Sequence, residues 1–173
     1  MKNRTIDRLL IVGILALTAV FVGVVANSLN DHIAKEGDTA PKFAIRTDSG
    51  RTITAADFGG KLLILNFWAT WCKPCVDEVP ALDALQRRFA GQGLVVLGVS
   101  VDTDSTAYRS FLTRYRVSFL TARDAEKKIS SDYGTFKFPE SYLIDRSGRI
   151  VKKVVGEENW TDERVVNYVQ SLL

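Results

Sequence analysis

The chain has 173 residues, room for one domain with a real core and a short appendage. Hydrophobic residues make up 46% and charged residues 25%, ordinary values for a globular protein. The net charge is +3, but residues 31–173 hold 20 basic and 19 acidic side chains, which argues against a nucleic-acid partner.

Leu9 to Ala26 are eighteen consecutive residues without a charge, and Thr18 is the only polar side chain among them. As a helix this run is about 27 Å long, close to the roughly 30 Å apolar thickness of a bilayer. Lys2, Arg4 and Arg8 precede it, so residues 1–8 are expected to stay in the cytoplasm. A single-pass helix over residues 9–29 would then contact the lipid bilayer and hold everything after it on the periplasmic or extracytoplasmic side. A cleaved signal peptide is the competing reading, with Val24-Val25-Ala26 as its cleavage site. The run exceeds the roughly 7–15 residues of a signal core, which favours the anchor. A buried core helix would carry one apolar stripe, whereas this run is apolar all round. Residues 30–38 are polar and irregular and read as a linker, with His32 as a solvated residue within it.

A domain is expected over residues 39–173. Phe43–Arg46 and Arg51–Thr54 flank Asp48-Ser49-Gly50 and read as a hairpin, followed by one helical turn at Ala55–Phe58. Leu62–Phe67 is a buried strand by its continuous apolar run. From Lys73 to about Ala90 the pattern is helical, with Val79, Leu82, Leu85 and Phe89 on one face and Pro80 expected to kink it. Leu94–Val101 is a second buried strand. Ser105–Tyr115 is an amphipathic helix with Tyr108, Phe111, Leu112 and Tyr115 on its apolar side. The arginines of this region, Arg109, Arg114 and Arg116, read as a solvated face. A short strand at Phe119–Thr121 and a helix from Ala125 to Tyr133 follow. Glu140–Asp145 and Ile150–Val155 form a second hairpin around Arg146-Ser147-Gly148, and Thr161 caps a last helix. Such alternation implies an α/β fold with a mixed central sheet flanked by helices.

Cys72 and Cys75 stand directly after the first buried strand, at the start of a helix. Two Cys at this spacing can bring their sulfurs to about 2.05 Å when oxidised. When reduced, the helix N-terminus favours a thiolate on Cys72, and Lys73 adds positive charge. Pro74 suits a first turn, where its missing N–H is no loss. A structural staple would close too short a loop to constrain much chain entropy. A zinc site needs about four ligands, and one pair supplies two, so no metal site is expected. The spacing and its context point to thiol–disulfide exchange, with Cys72 as attacking and Cys75 as resolving thiol.

Asn66-Phe67-Trp68-Ala69-Thr70-Trp71-Cys72-Lys73-Pro74-Cys75, followed by Glu78-Val79-Pro80, resembles the membrane-anchored thioredoxin-like proteins of the TlpA/ResA type. Gly37-Asp38, Ala40-Pro41-Lys42-Phe43, Asp57-Phe58-Gly59-Gly60-Lys61 and Pro139-Glu140-Ser141-Tyr142-Leu143-Ile144-Asp145 add weaker matches in the same order. The resemblance implies a thioredoxin fold with an N-terminal hairpin extension, no cofactor, and a cis peptide bond before Pro139. It implies that Phe138 offers backbone groups to a bound substrate chain. It also implies that Trp71, Lys73, Pro74, Phe138 and Pro139 line the docking surface. Cytoplasmic thioredoxins carry a buried Asp where this chain has Asn66, so the resemblance points to Glu78 as proton acceptor for Cys75, with Asp77 as the alternative. Trp68 is expected in the core. Tyr142, Phe136 and Trp160 are expected in the core or the groove.

The implied activity is a thiol–disulfide oxidoreductase that reduces protein disulfides outside the cytoplasm. Apocytochrome c is the implied substrate, in cytochrome c biogenesis, and a membrane-embedded partner is the implied electron donor. A disulfide oxidant, a thiol peroxidase and a membrane-tethered binding or chaperone module are the alternatives.

Overall fold

The computed structural model describes residues 4–28 and 33–173. The chain divides into two units, Met1–His32 and Ile33–Leu173. His32 and the end of the expected anchor segment lie outside the described residues. In the first unit a single helix, α1, runs Arg4–Ser28. Its stretch Arg8–Val25 has a mean hydropathy of 2.5 with none of it buried, so it is long and apolar enough to cross a membrane.

The second unit opens with Ile33–Asp38, expected as tether but packed onto the domain. Ala34 is fully buried and donates its N–H to the Tyr133 carbonyl, and Gly37 donates to Ile150. Gly134 permits this approach. It lies at φ +67°, and a Cβ there would stand 2.8 Å from the Ile33 Cα. The polar composition hid this attachment because backbone groups make much of it, together with Glu36, which accepts the Lys153 N–H at 3.0 Å.

Strands β1 (Ala44–Arg46) and β2 (Thr52–Thr54) form the expected hairpin, and a 3₁₀ turn follows at Ala55–Phe58. The main sheet comprises β3 (Leu62–Trp68), β4 (Leu94–Ser100), β5 (Leu120–Arg123), β6 (Glu140–Ile144) and β7 (Ile150–Val155), in the order β5-β4-β3-β6-β7. The β3/β4 and β4/β5 pairs are parallel, while β3/β6 and β6/β7 are antiparallel. Helices α2 (Lys73–Phe89) and α3 (Ser105–Tyr115) make the crossovers that the parallel pairs need. Helices α4 (Lys128–Asp132) and α5 (Glu163–Leu172) complete the unit. This is the thioredoxin fold.

Strand alternation divides the core in two. Leu62, Ile64 and Trp68 face α2, α3 and α5, where Val79, Leu82, Phe89, Phe111 and Val169 meet them. Leu63, Leu65 and Phe67 face the hairpin and α4, against Ile45, Ile53, Ile129 and Tyr133. α2 runs unbroken across Pro80, one residue beyond the buried Val79. Two helix boundaries differ from expectation. α4 begins at Lys128 rather than Ala125, because Lys127 is left-handed (φ 57°) and the Asp124 carboxylate accepts the N–H groups of Lys128, Ile129 and Ser130. Asp162, not Thr161, caps α5, since the Thr161 hydroxyl is spent on the Asn159 side chain.

Candidate active site

The parallel β3/β4 pair brings the end of β3 and the N-terminus of α2 to the same end of the sheet as the end of β4. Between them, Thr70 is held by Asp102, which follows β4. The buried Asp102 carboxylate accepts the Thr70 N–H (3.0 Å), the Thr70 hydroxyl (2.7 Å) and the Ser100 hydroxyl (2.6 Å). That fixes the loop two residues before Cys72. Cys72 then caps α2, its sulfur accepting the Cys75 N–H at 3.3 Å. Cys72 and Cys75 are disulfide-bonded, with Cα atoms 5.3 Å apart. Cys72 is 7% exposed and Cys75 is fully buried, so an incoming group reaches the first sulfur and not the second. Pro74 lies in the first turn of α2, as its chemistry requires.

Glu78 lies one helical turn after Cys75, on the same face of α2. It is 2% exposed. One carboxylate oxygen accepts from the Asn66 amide at 2.8 Å. The other accepts the Glu158 N–H (3.1 Å) and the Trp160 indole N–H (3.3 Å). Asn66 also donates to the Ser141 hydroxyl at 2.9 Å. Burial pushes the Glu78 acid up to about 7, against the downward pull of those three hydrogen bonds. Glu78 is therefore poised to exchange a proton near neutrality. Asp77, the alternative acid, is half exposed and paired with Lys73 at 2.7 Å, so the lysine's charge is already matched.

Trp71 is 64% exposed and meets Phe138 edge to face, ring centroids 6.0 Å apart. The Phe138–Pro139 bond is cis. Pro139 is buried and its carbonyl accepts from the Gly156 N–H, whereas the Phe138 N–H and C=O have no partner among the described residues. The ring contact joins the cis-proline loop to the cysteine loop. Trp68, Tyr142 and Trp160 are buried as core, while Phe136 is 72% exposed.

Sequence reasoning did not assign Asp102, Ser141 or Glu158 to this site, and gave Trp160 only as core or groove lining. The partners of Glu78 in the loop after β7 are 80 and 82 residues away along the chain, and no local spacing marks them. Asp102 gave a faint signal as a polar residue directly after a buried strand.

Residues 36–153 match the model of the AhpC/TSA family. The thiol–disulfide oxidoreductase ResA of Bacillus anthracis is 33% identical over 174 residues, covering 99% of this chain and 98% of the relative. The thioredoxin-like protein YneN of Bacillus subtilis is 38% identical over 125 residues, 70% of this chain and 72% of the relative. A solved structure described as a thiol:disulfide interchange protein DsbE, from Chlorobium tepidum, superimposes with a TM-score of 0.75 at 29% identity, covering 80% of this chain and 98% of its own. A solution structure described as a thioredoxin, from Neisseria meningitidis, reaches 0.70 at 28% identity, over 80% of this chain and 91% of its own. Sequence, fold and cysteine pair agree: the chain belongs to the AhpC/TSA family and is a thiol–disulfide oxidoreductase of the ResA type.

Proposed function

We propose that the chain reduces protein disulfides on the extracytoplasmic side of a membrane, in which α1 anchors it. The observation that carries this is the buried Glu78 acid placed one turn beyond a fully buried Cys75. In the reduced enzyme, Cys72 attacks one sulfur of the substrate disulfide as a thiolate. A mixed disulfide forms and one substrate thiolate leaves. Cys75 then gives its proton to Glu78 and attacks Cys72. The second substrate thiolate leaves, and the enzyme ends with the Cys72–Cys75 disulfide, having supplied two electrons. Trp71, Lys73 and Pro74 border the attacking sulfur, and the unpartnered Phe138 backbone beside Pro139 is available to an extended substrate chain. A membrane-embedded partner would restore the dithiol, and lipid would surround α1. The C-x-x-C-H haem site of apocytochrome c is a fitting target, since it must be reduced before haem attaches.

The test is trapping with an oxidised C-x-x-C-H peptide. Cys75→Ser should accumulate a mixed disulfide through Cys72, and Cys72→Ser should form none. Peptide reduction that survives Cys72→Ser would refute the reading. Rapid peroxide turnover by Cys75→Ser would favour a peroxidase instead.

A further inference from the structure

Beside the disulfide, between the first turns of α2 and the second half of α3, lies an open groove of about 530 Å³. Its floor is apolar, made by Val76 of α2 and by Phe111 and Tyr115 of α3, whose rings stack at 4.3 Å. Tyr115 is 39% exposed, more than a core residue of an amphipathic helix should be. Trp71 forms one end of the groove and also meets Phe138 at the cis-proline loop. A chain lying across the Cys72 sulfur therefore reaches the groove by passing over one side chain.

The charges of the groove are unevenly matched. Lys73 and Asp77 neutralise each other. Arg114 is exposed, lies 5.8 Å above the Tyr115 ring and has no carboxylate partner among the described residues. Arg109 and Arg116 on the same helix and its cap form no ion pair among the described residues, although the Arg109 charge acts on Asp104, and Ser105–Tyr115 contains no acid. Asp104, before the helix, is occupied by the N–H groups of Thr106 and Ala107. An exposed aromatic floor under an unpaired guanidinium suits a polypeptide bearing an acidic side chain.

We propose that this groove is a second subsite for the polypeptide that carries the target disulfide, selecting chains with an acidic residue near the reacting cysteine, through Arg114 and the Trp71–Tyr115 floor. The inference rests on the disulfide-exchange reading of the site. Arg114 is a specificity residue here and takes no part in the sulfur chemistry.

The test uses the full chain in detergent micelles, as wild type and Arg114→Glu. Two disulfide peptides are compared that differ only in flanking Glu or flanking Lys, with uncharged hydroxyethyl disulfide as a third substrate. Wild type should prefer the acidic peptide, chiefly through KM, and the preference should shrink in high salt. Turning an exposed attraction into a repulsion should shift the acidic-to-basic ratio of kcat/KM by about tenfold, with hydroxyethyl disulfide reduced at the wild-type rate. An unchanged ratio in Arg114→Glu would overturn the subsite while leaving disulfide exchange intact. Failure of both proteins to reduce any of the three substrates would remove the exchange reading and the subsite with it.

Discussion

Glu78 is an acid held at about 7 inside the fold against 4.5 for the free side chain, chiefly by burial. The folded protein keeps this proton at pH values where the unfolded chain has lost it. Folding therefore weakens as pH rises from 4.5 to 7, by on the order of 3 kcal/mol once the group is fully ionised. Glu78→Gln keeps the shape, and Asn66 can turn its amide to meet it. Urea denaturation of the oxidised protein should show the variant more stable than wild type at pH 8 and equal to it at pH 4. The same variant should slow release of the mixed disulfide above pH 7. A pH-independent stability difference would count against the assignment. Asp102 acts differently, as a positioning residue. Asp102→Ala strands the Thr70 N–H and should cost about 2–3 kcal/mol, with slower alkylation of the reduced Cys72. The cysteines were legible because their chemistry needs a fixed local spacing. Glu78 was legible only through the family resemblance, and its network was not, since Ser141, Glu158 and Trp160 arrive from distant parts of the chain.

Among the elements, β4 shows why a strand glycine can be structural. A Cβ on Gly98 would stand 2.7 Å from the Phe119 ring and 3.1 Å from the Trp68 indole nitrogen. Both rings are buried, so neither has room to withdraw. Gly98→Ala should lose about 1–3 kcal/mol of stability through overpacking, seen as a lower urea midpoint with an unchanged slope. A midpoint equal to wild type would mean the rings can shift freely. The strands and long helices were readable from apolar runs and 3.6-residue periodicity. The start of α4 and the cap of α5 were not, because each depends on which of several neighbouring polar side chains turns inward. The groove beside α3 was hidden for a related reason. Periodicity assigned Tyr115 to the apolar face, but cannot show that Tyr115 lines an open groove and stays 39% exposed.

At the scale of the whole molecule, every contact described at the disulfide comes from residues 66–160 of the second unit. A fragment spanning 33–173 should therefore reduce hydroxyethyl disulfide at the rate of the full chain, and only the full chain should partition into detergent or lipid. A fragment that loses this activity would show that α1 contributes more than attachment. The reduction potential of the cysteine pair decides the direction of electron flow. The full chain would be equilibrated in detergent against glutathione and dithiothreitol buffers and its thiols counted. Two acids beside the pair, Glu78 buried and Asp77 cancelling Lys73, oppose accumulation of thiolate. They predict a potential at the thioredoxin end, about −270 mV or lower. A value near −120 mV would contradict the account and make the protein a donor of disulfides.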